Sequence, residues 1–122
     1  MHDFTKLNVW AEARTLARRI YETTARFPDR ERYGLTSQMQ RAAVSIASNI
    51  AEGAARGTSA DFRRYLRIAA GSASELQSQL YLCSDVGLLR PDQADELIDS
   101  ADHIRNMLFN LERAHARPKP GT

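Results

Sequence analysis

The stretch Ser59-Ala-Asp-Phe-Arg-Arg-Tyr-Leu-Arg-Ile-Ala-Ala-Gly-Ser-Ala-Ser-Glu-Leu-Gln-Ser-Gln-Leu-Tyr-Leu-Cys-Ser-Asp-Val86 decides the fold. Its apolar residues Phe62, Leu66, Ala69, Ala73, Leu76, Leu80 and Cys83 follow one another at alternating steps of four and three. That is the period of a helix burying one stripe against left-handed neighbours. Ser59 reads as its N-cap and Asp61 sits in the first turn, where the helix dipole favours a negative charge. Gly87 is the natural residue to end it. At 1.5 Å per residue such a helix is about 42 Å long.

The same period recurs on both sides. Near Leu7 to Phe27 the stripe is Val9, Ala13, Leu16, Ile20, Thr23 and Phe27, and Pro28 stops it. Near Ser37 to Ala55 it is Met39, Ala43, Ile46, Ile50 and Gly53, opened by Ser37-x-x-Gln40 as a capping box. Near Pro91 to Ala116 it is Ala94, Leu97, Ala101, Ile104, Leu108, Leu111 and His115, with Pro91 at the first helical position and Asp92 beside it. Glycine and proline punctuate the chain at Pro28–Gly34, Gly53–Gly57 and Gly87–Pro91, and no alternating β-branched run lies between.

Connections this short force sequential helices to run antiparallel. The reading is an all-α, antiparallel up-down-up-down four-helix bundle. It forms a single domain over residues 1–116, followed by a flexible C-terminal tail, 117–122. Ala43, Ala69, Ala73 and Ala101, with Gly71 beside them, are expected to let helices approach closely.

A chain of 122 residues with 43% hydrophobic and 26% charged side chains is not a disordered, collagen-like or disulfide-stapled protein. Its 17 basic and 15 acidic residues leave a net charge of +2, well short of the dense positive field of a dedicated nucleic-acid binder. The single cysteine, Cys83, lies on the apolar stripe and reads as a packed small hydrophobe. The opening Met1-His2-Asp3-Phe4 has no basic region leading into an apolar one. No apolar run approaches the ~18–20 residues of a spanning helix. A soluble, cytoplasmic protein without membrane association is expected.

Catalytic signatures are missing. A ferritin-like di-iron bundle needs Glu-x-x-His on two helices, which this chain does not carry. His2, His103 and His115 have no metal-ligand spacing to one another. Gly53-x-x-x-Gly57 lacks the Gly-Lys-Ser/Thr ending of a phosphate loop. The expectation is no enzymatic reaction, no cofactor and no resident metal.

The informative polar residues lie along one edge. Gln38, Arg41, Ser45, Asn49, Glu52 and Arg56 are spaced by three or four residues on the second segment, and Ser72, Glu75 and Gln79 make a similar edge on the third. Asn49 and Glu52 are placed to meet those groups, or Arg56 and Arg63, in a half-buried network. Such a network fixes helix register, or it forms a pocket or subunit contact. A rival reading makes it a small metal- or ligand-binding bundle using Glu52 and Glu75. Arg56, Arg63, Arg64 and Arg67 surround the start of the third segment, the last three in one outward sector. They suit either phosphate or another subunit, because Asp92, Asp95, Asp99 and Asp102 offer a complementary acidic face on the fourth segment. Trp10, Tyr33, Tyr81, Leu82 and Phe109 fall beside or off the stripes, a surplus that points to self-association.

The run Arg41-Ala-Ala-Val-Ser-Ile-Ala-Ser-Asn-Ile-Ala-Glu-Gly53 resembles the signature of a bacterial four-helix-bundle family encoded in intervening sequences of 23S ribosomal RNA genes. The flanks agree: Leu7-x-Val9-Trp10, Phe27-Pro28, Glu31-x-Tyr33-Gly34-Leu35-Thr36 and Ala69-x-Gly71-Ser72-x-x-Glu75-Leu76. The resemblance covers Leu7 to about Leu111. It implies a homo-oligomer, with a pentamer favoured, as in relatives that include the accessory protein of diversity-generating retroelements. That relative works with nucleic acid and a reverse transcriptase through a basic surface. The resemblance makes Asn49, Glu52 and Gly53 family-characteristic and implies no enzymatic reaction. A non-enzymatic, self-associating scaffold with a weak or conditional RNA or ribosome-related partner is therefore expected.

Overall fold

Four helices account for most of the chain in the computed structural model, which describes residues 3–116. They are α1 (Asn8–Thr24), α2 (Leu35–Ala55), α3 (Ser59–Asp85) and α4 (Pro91–Ala114), with 3-10 turns at Phe4–Lys6 and Asp29–Glu31. Among the described residues there is no strand. Each helix packs on the next in sequence, and α1 closes the circle against α4 only lightly. The all-α four-helix architecture is as the 3-4 periodicity requires, consistent with an up-down bundle. The expected tail, 117–122, lies outside the described residues.

The stripes on α2 and α3 are buried at every expected position, Met39 to Gly53 and Phe62 to Cys83. On α4, Ala94, Leu97, Ala101, Ile104 and Leu108 are buried, while Leu111 and His115 are half-buried at the helix end. On α1 the last buried position is Thr24, not Thr23. Its hydroxyl can enter the interior because it donates to the Ile20 carbonyl at 2.8 Å and accepts from Gln40 Nε2 at 3.1 Å.

That bond also corrects the expected start of α2. The helix begins at Leu35, after Gly34, and Ser37 and Gln40 lie inside it without forming a capping box. The half-buried Leu35 packs on the core and carries the helix two residues further back. On α3 the cap is Thr58 rather than Ser59, its Oγ1 accepting from the Asp61 amide at 3.1 Å. Gly87, at φ +79°, turns the chain out of α3 while the Leu88 amide donates back to the Cys83 carbonyl at 2.8 Å. On α4, the Arg90 amide donates to Gln93 Oε1 at 3.1 Å, and Pro91 occupies the first helical position.

The glycines divide differently from expectation. Gly71 is exposed, and a Cβ built there would meet nothing within 4 Å. The close approach belongs to Gly53, where α2 leans on α3 near Phe62 and Tyr65.

Candidate functional site

The polar edge between α2 and α3 is a real constellation, with a narrower set of contacts than the spacing suggests. Ser45 and Ser72 place their hydroxyls 2.9 Å apart across the two helices. Asn49 Nδ2 donates back to the Ser45 carbonyl at 2.8 Å and to its hydroxyl at 3.0 Å. Asn49 thus braces Ser45, which in turn bonds Ser72, and the three set the register of the helix pair.

Glu52 stays on its own helix and takes Arg56 at 3.0 Å. Arg56 also donates to the Tyr65 hydroxyl at 2.8 Å. Tyr65 first, and Glu52 second, hold the Arg56 guanidinium above its ordinary pKa. Glu75 accepts from Gln79 Nε2 at 3.3 Å, one turn along α3.

The Ser45–Ser72 contact fixes an antiparallel register that puts Glu52 beside Tyr65, ten residues from Glu75. That is about 15 Å along the axis, so the two carboxylates do not converge on one ion. Among the described residues no group of three His, Cys, Asp or Glu comes together. One Glu-x-x-His does occur, Glu112 to His115. Its carboxylate is taken by arginines and its imidazole stands edge-on to Phe62 at 4.8 Å.

Next to Glu75 lies a hollow of about 330 Å³, lined by Gln38, Arg41, Ala42, Ser45 and Glu75. Arg41 makes no ion pair among the described residues, although Glu75 lines the same hollow. Beside it Gln79, only 5% exposed, leaves its Oε1 without a donor. A buried acceptor in that state costs about 1–3 kcal/mol. On α3 the exposed apolar residues Ile68 and Leu82 bracket Ser72, Glu75 and Gln79 along one stripe, and Val44 is exposed beside Arg41 on α2.

The four arginines do not form one sector. Arg67 reaches Glu112 of α4 at 2.7 Å and Arg63 reaches the same carboxylate at 3.5 Å. Arg64 turns the other way, 4.6 Å from the Tyr65 ring centre and 4.0 Å from Asp61, and Arg56 lies over the same ring at 5.1 Å. Long side chains from adjacent helix positions reach different neighbours, so the set splits into a clamp on Glu112 and a stack on Tyr65. On α4, Asp92 pairs with Arg90, whose hydrogen bond lowers the carboxyl pKa, and Asp102 pairs with Arg105 at 2.7 Å. Asp95 and Asp99 remain exposed.

Trp10 is not surplus: it is half-buried, edge-on to Phe4 at 4.9 Å. Tyr33, at 88% exposed, and Tyr81, Leu82 and Phe109 do stand out of the core, as expected. The α3–α4 clasp was not anticipated. Arg105 donates to Gln77 Oε1 at 2.7 Å and to Ser74 at 3.0 Å, while Gln77 Nε2 donates to the Ile98 carbonyl at 3.1 Å. A glutamine within an otherwise apolar helix face was its only signal.

A four-helix bundle with a braced Ser–Asn–Ser edge and a glycine-mediated helix contact is the class these features define. The family model of the 23S rRNA-intervening sequence protein matches residues 5–110, and the chain belongs to that family. Among solved structures it is similar to a protein of unknown function from the S23 ribosomal protein family of Bacteroides thetaiotaomicron. The TM-score is 0.78 at 23% identity, over 86% of this chain and 98% of that one, which shows a shared fold. No curated protein matches the sequence. Among the described residues, no helix is long and apolar enough to cross a membrane.

Proposed function

We propose that this protein is a non-enzymatic scaffold that self-associates through the outer face of α2 and α3, with five copies the favoured stoichiometry. One observation carries the reading: an incomplete polar cluster inside an apolar rim. Arg41 and Glu75 line one hollow without pairing, Gln79 Oε1 lacks a donor, and Val44, Ile68 and Leu82 are exposed around them. A second copy supplies what is missing, namely a cation for Glu75, an anion for Arg41, a donor for Gln79 and cover for the apolar rim. Arg56, Arg63, Arg64 and Arg67 lend an RNA partner no support, since carboxylates already answer three of them closely.

The test is absolute mass by size-exclusion chromatography with light scattering, across concentration and salt. A mass near five subunits is expected for the natural sequence. Arg41→Glu and Glu75→Arg each lower it, and the double variant Arg41→Glu with Glu75→Arg restores it, because every interface then carries the same pair with its charges exchanged. A monomer at every concentration overturns self-association. An oligomer indifferent to both variants moves the contact to another face.

A further inference from the structure

About half of the cations among the described residues are already answered by carboxylates: Arg19 by Glu96, Arg30 by Glu31, Arg56 by Glu52, Arg63 and Arg67 by Glu112, Arg64 by Asp61, Arg90 by Asp92 and Arg105 by Asp102. Three of the others belong to the N-terminal 3-10 turn and to α1. Lys6, Arg14 and Arg18 are exposed, and none makes an ion pair among the described residues. Glu12 is two positions from Arg14 and so faces another way. Glu22, one turn past Arg18, instead lines the groove between α1 and α4. Asp3 is taken up by Thr5, whose amide and hydroxyl both donate to it.

An aromatic ring sits among these charges. Arg14 lies 5.5 Å from the centre of the Trp10 ring, and Phe4 meets the indole in a T-shaped contact at 4.9 Å. Thr5, Trp10, Ala11, Arg14, Thr15 and Arg18 together line a shallow hollow of about 490 Å³. A pinned, half-exposed indole flanked by unneutralised cations is the combination that holds single-stranded nucleic acid, with bases stacking on the ring and phosphates meeting the charges. One part of the ring packs on the core, and its exposed part is what a base would meet.

We propose that the outer face of α1, with the 3-10 turn that precedes it, binds single-stranded nucleic acid, with a base on the exposed part of Trp10 and phosphates on Lys6, Arg14 and Arg18. The surface does not involve α2 or α3, so it stands apart from the self-association argued above. Contact is weak and salt-sensitive. With three cations engaged, log K falls with log salt at a slope of about −2, given roughly 0.7 per phosphate on a single strand.

Trp10 is the only tryptophan in the chain, so its fluorescence reads the site directly. The protein is titrated with a short oligouridylate at low salt, and with inorganic polyphosphate as an anion without bases. The oligonucleotide is expected to quench Trp10 and the polyphosphate is not. Lys6→Glu with Arg18→Glu, which leaves Arg14 over the indole, weakens binding at least tenfold with helicity unchanged by circular dichroism. If that variant loses helicity, Lys6→Ala with Arg18→Ala takes its place. Arg63→Glu with Arg64→Glu leaves the quenching as it was. No quenching at low salt overturns the proposal, as does equal quenching by polyphosphate. Loss of binding through the Arg63 and Arg64 pair, with the Lys6 and Arg18 pair unaffected, overturns it equally.

Discussion

Gly53 faces Tyr65 so closely that a methyl group on the glycine would stand 2.7 Å from the Tyr65 Cβ. It would also lie 3.2 Å from the Phe62 ring and 3.4 Å from the Phe62 carbonyl. The neighbour at 2.7 Å is attached directly to backbone and has no freedom to swing aside. Gly53→Ala should therefore push α2 away from α3 and cost about 1–3 kcal/mol, an overpacking effect that outweighs alanine's better helix propensity. Urea denaturation of the variant against the natural sequence measures it. Equal midpoints would mean that the helices separate here at no cost.

Ala73 is fully buried at the middle of α3. Ala73→Leu adds three carbons where no space exists and should also cost about 1–3 kcal/mol. The reading is a lowered thermal midpoint, and an unchanged one would show that the α3 stripe is misplaced.

Glu112 answers two arginines with a side chain only 17% exposed. Arg63 Nε is buried nearby without a hydrogen bond, so this region already carries one unsatisfied donor. Glu112→Gln keeps the shape and removes the charge, leaving two cations side by side. A loss of about 1–2 kcal/mol at low salt is expected, shrinking as salt screens the arginine pair. Chemical denaturation at two ionic strengths separates this from a simple packing loss, which salt would leave alone.

Burial first, and the Glu31 carboxylate second, push the Cys83 thiol up to about 11. The folded state therefore keeps its proton over a range where the unfolded thiol, with its ordinary pKa of 9.0, has lost it. With more protons bound when folded, stability falls as pH rises from about 9 to about 11. Below about 9 the thiol is neutral in both states and contributes no slope. Cys83→Ala should flatten that alkaline limb relative to the natural sequence, although it loses the contact in which Sγ donates to Met39 Sδ at 3.4 Å. Stability measured from pH 8 to 11 on both proteins is the check, and parallel curves would refute the linkage.

The stripes of α2, α3 and α4 could be read almost residue by residue because one geometric fact, a face repeating at three and four, determines burial. What the period does not determine is which side chain across the gap answers a given polar group. Arg63 and Arg67 lie on the outward side of α3, as their spacing implies, but Glu112, 45 residues from Arg67, was not foreseeable as their partner. Gly71 and Gly53 look alike in sequence, and only the helix crossing tells the exposed one from the clamped one. Of the polar edge, Asn49 and Ser72 do meet through Ser45. Glu52 and Glu75 part company because the register sets them on different turns. The helix starts were missed for a similar reason: Thr58 stands in the cap position expected for Ser59 and Gly34 in the one expected for Ser37, through contacts made at the ends of the helices, where periodicity is silent.

The light closure of α1 against α4 gives the circle of helices a weak side. Helices α2, α3 and α4 form a continuous three-helix sheet of contacts, with Ser45–Ser72 and the Arg105 clasp riveting its two joints. By comparison α1 hangs on a turn at Asp29–Glu31, the Thr24–Gln40 bond, the reach of Arg19 to Ser100 and Glu96 on α4, and its own apolar stripe. Stability is thus graded along the chain. Amide hydrogens of α1 should exchange with solvent through sub-global opening, well before those of α3, and the first helix is the one this protein can release without unfolding the rest.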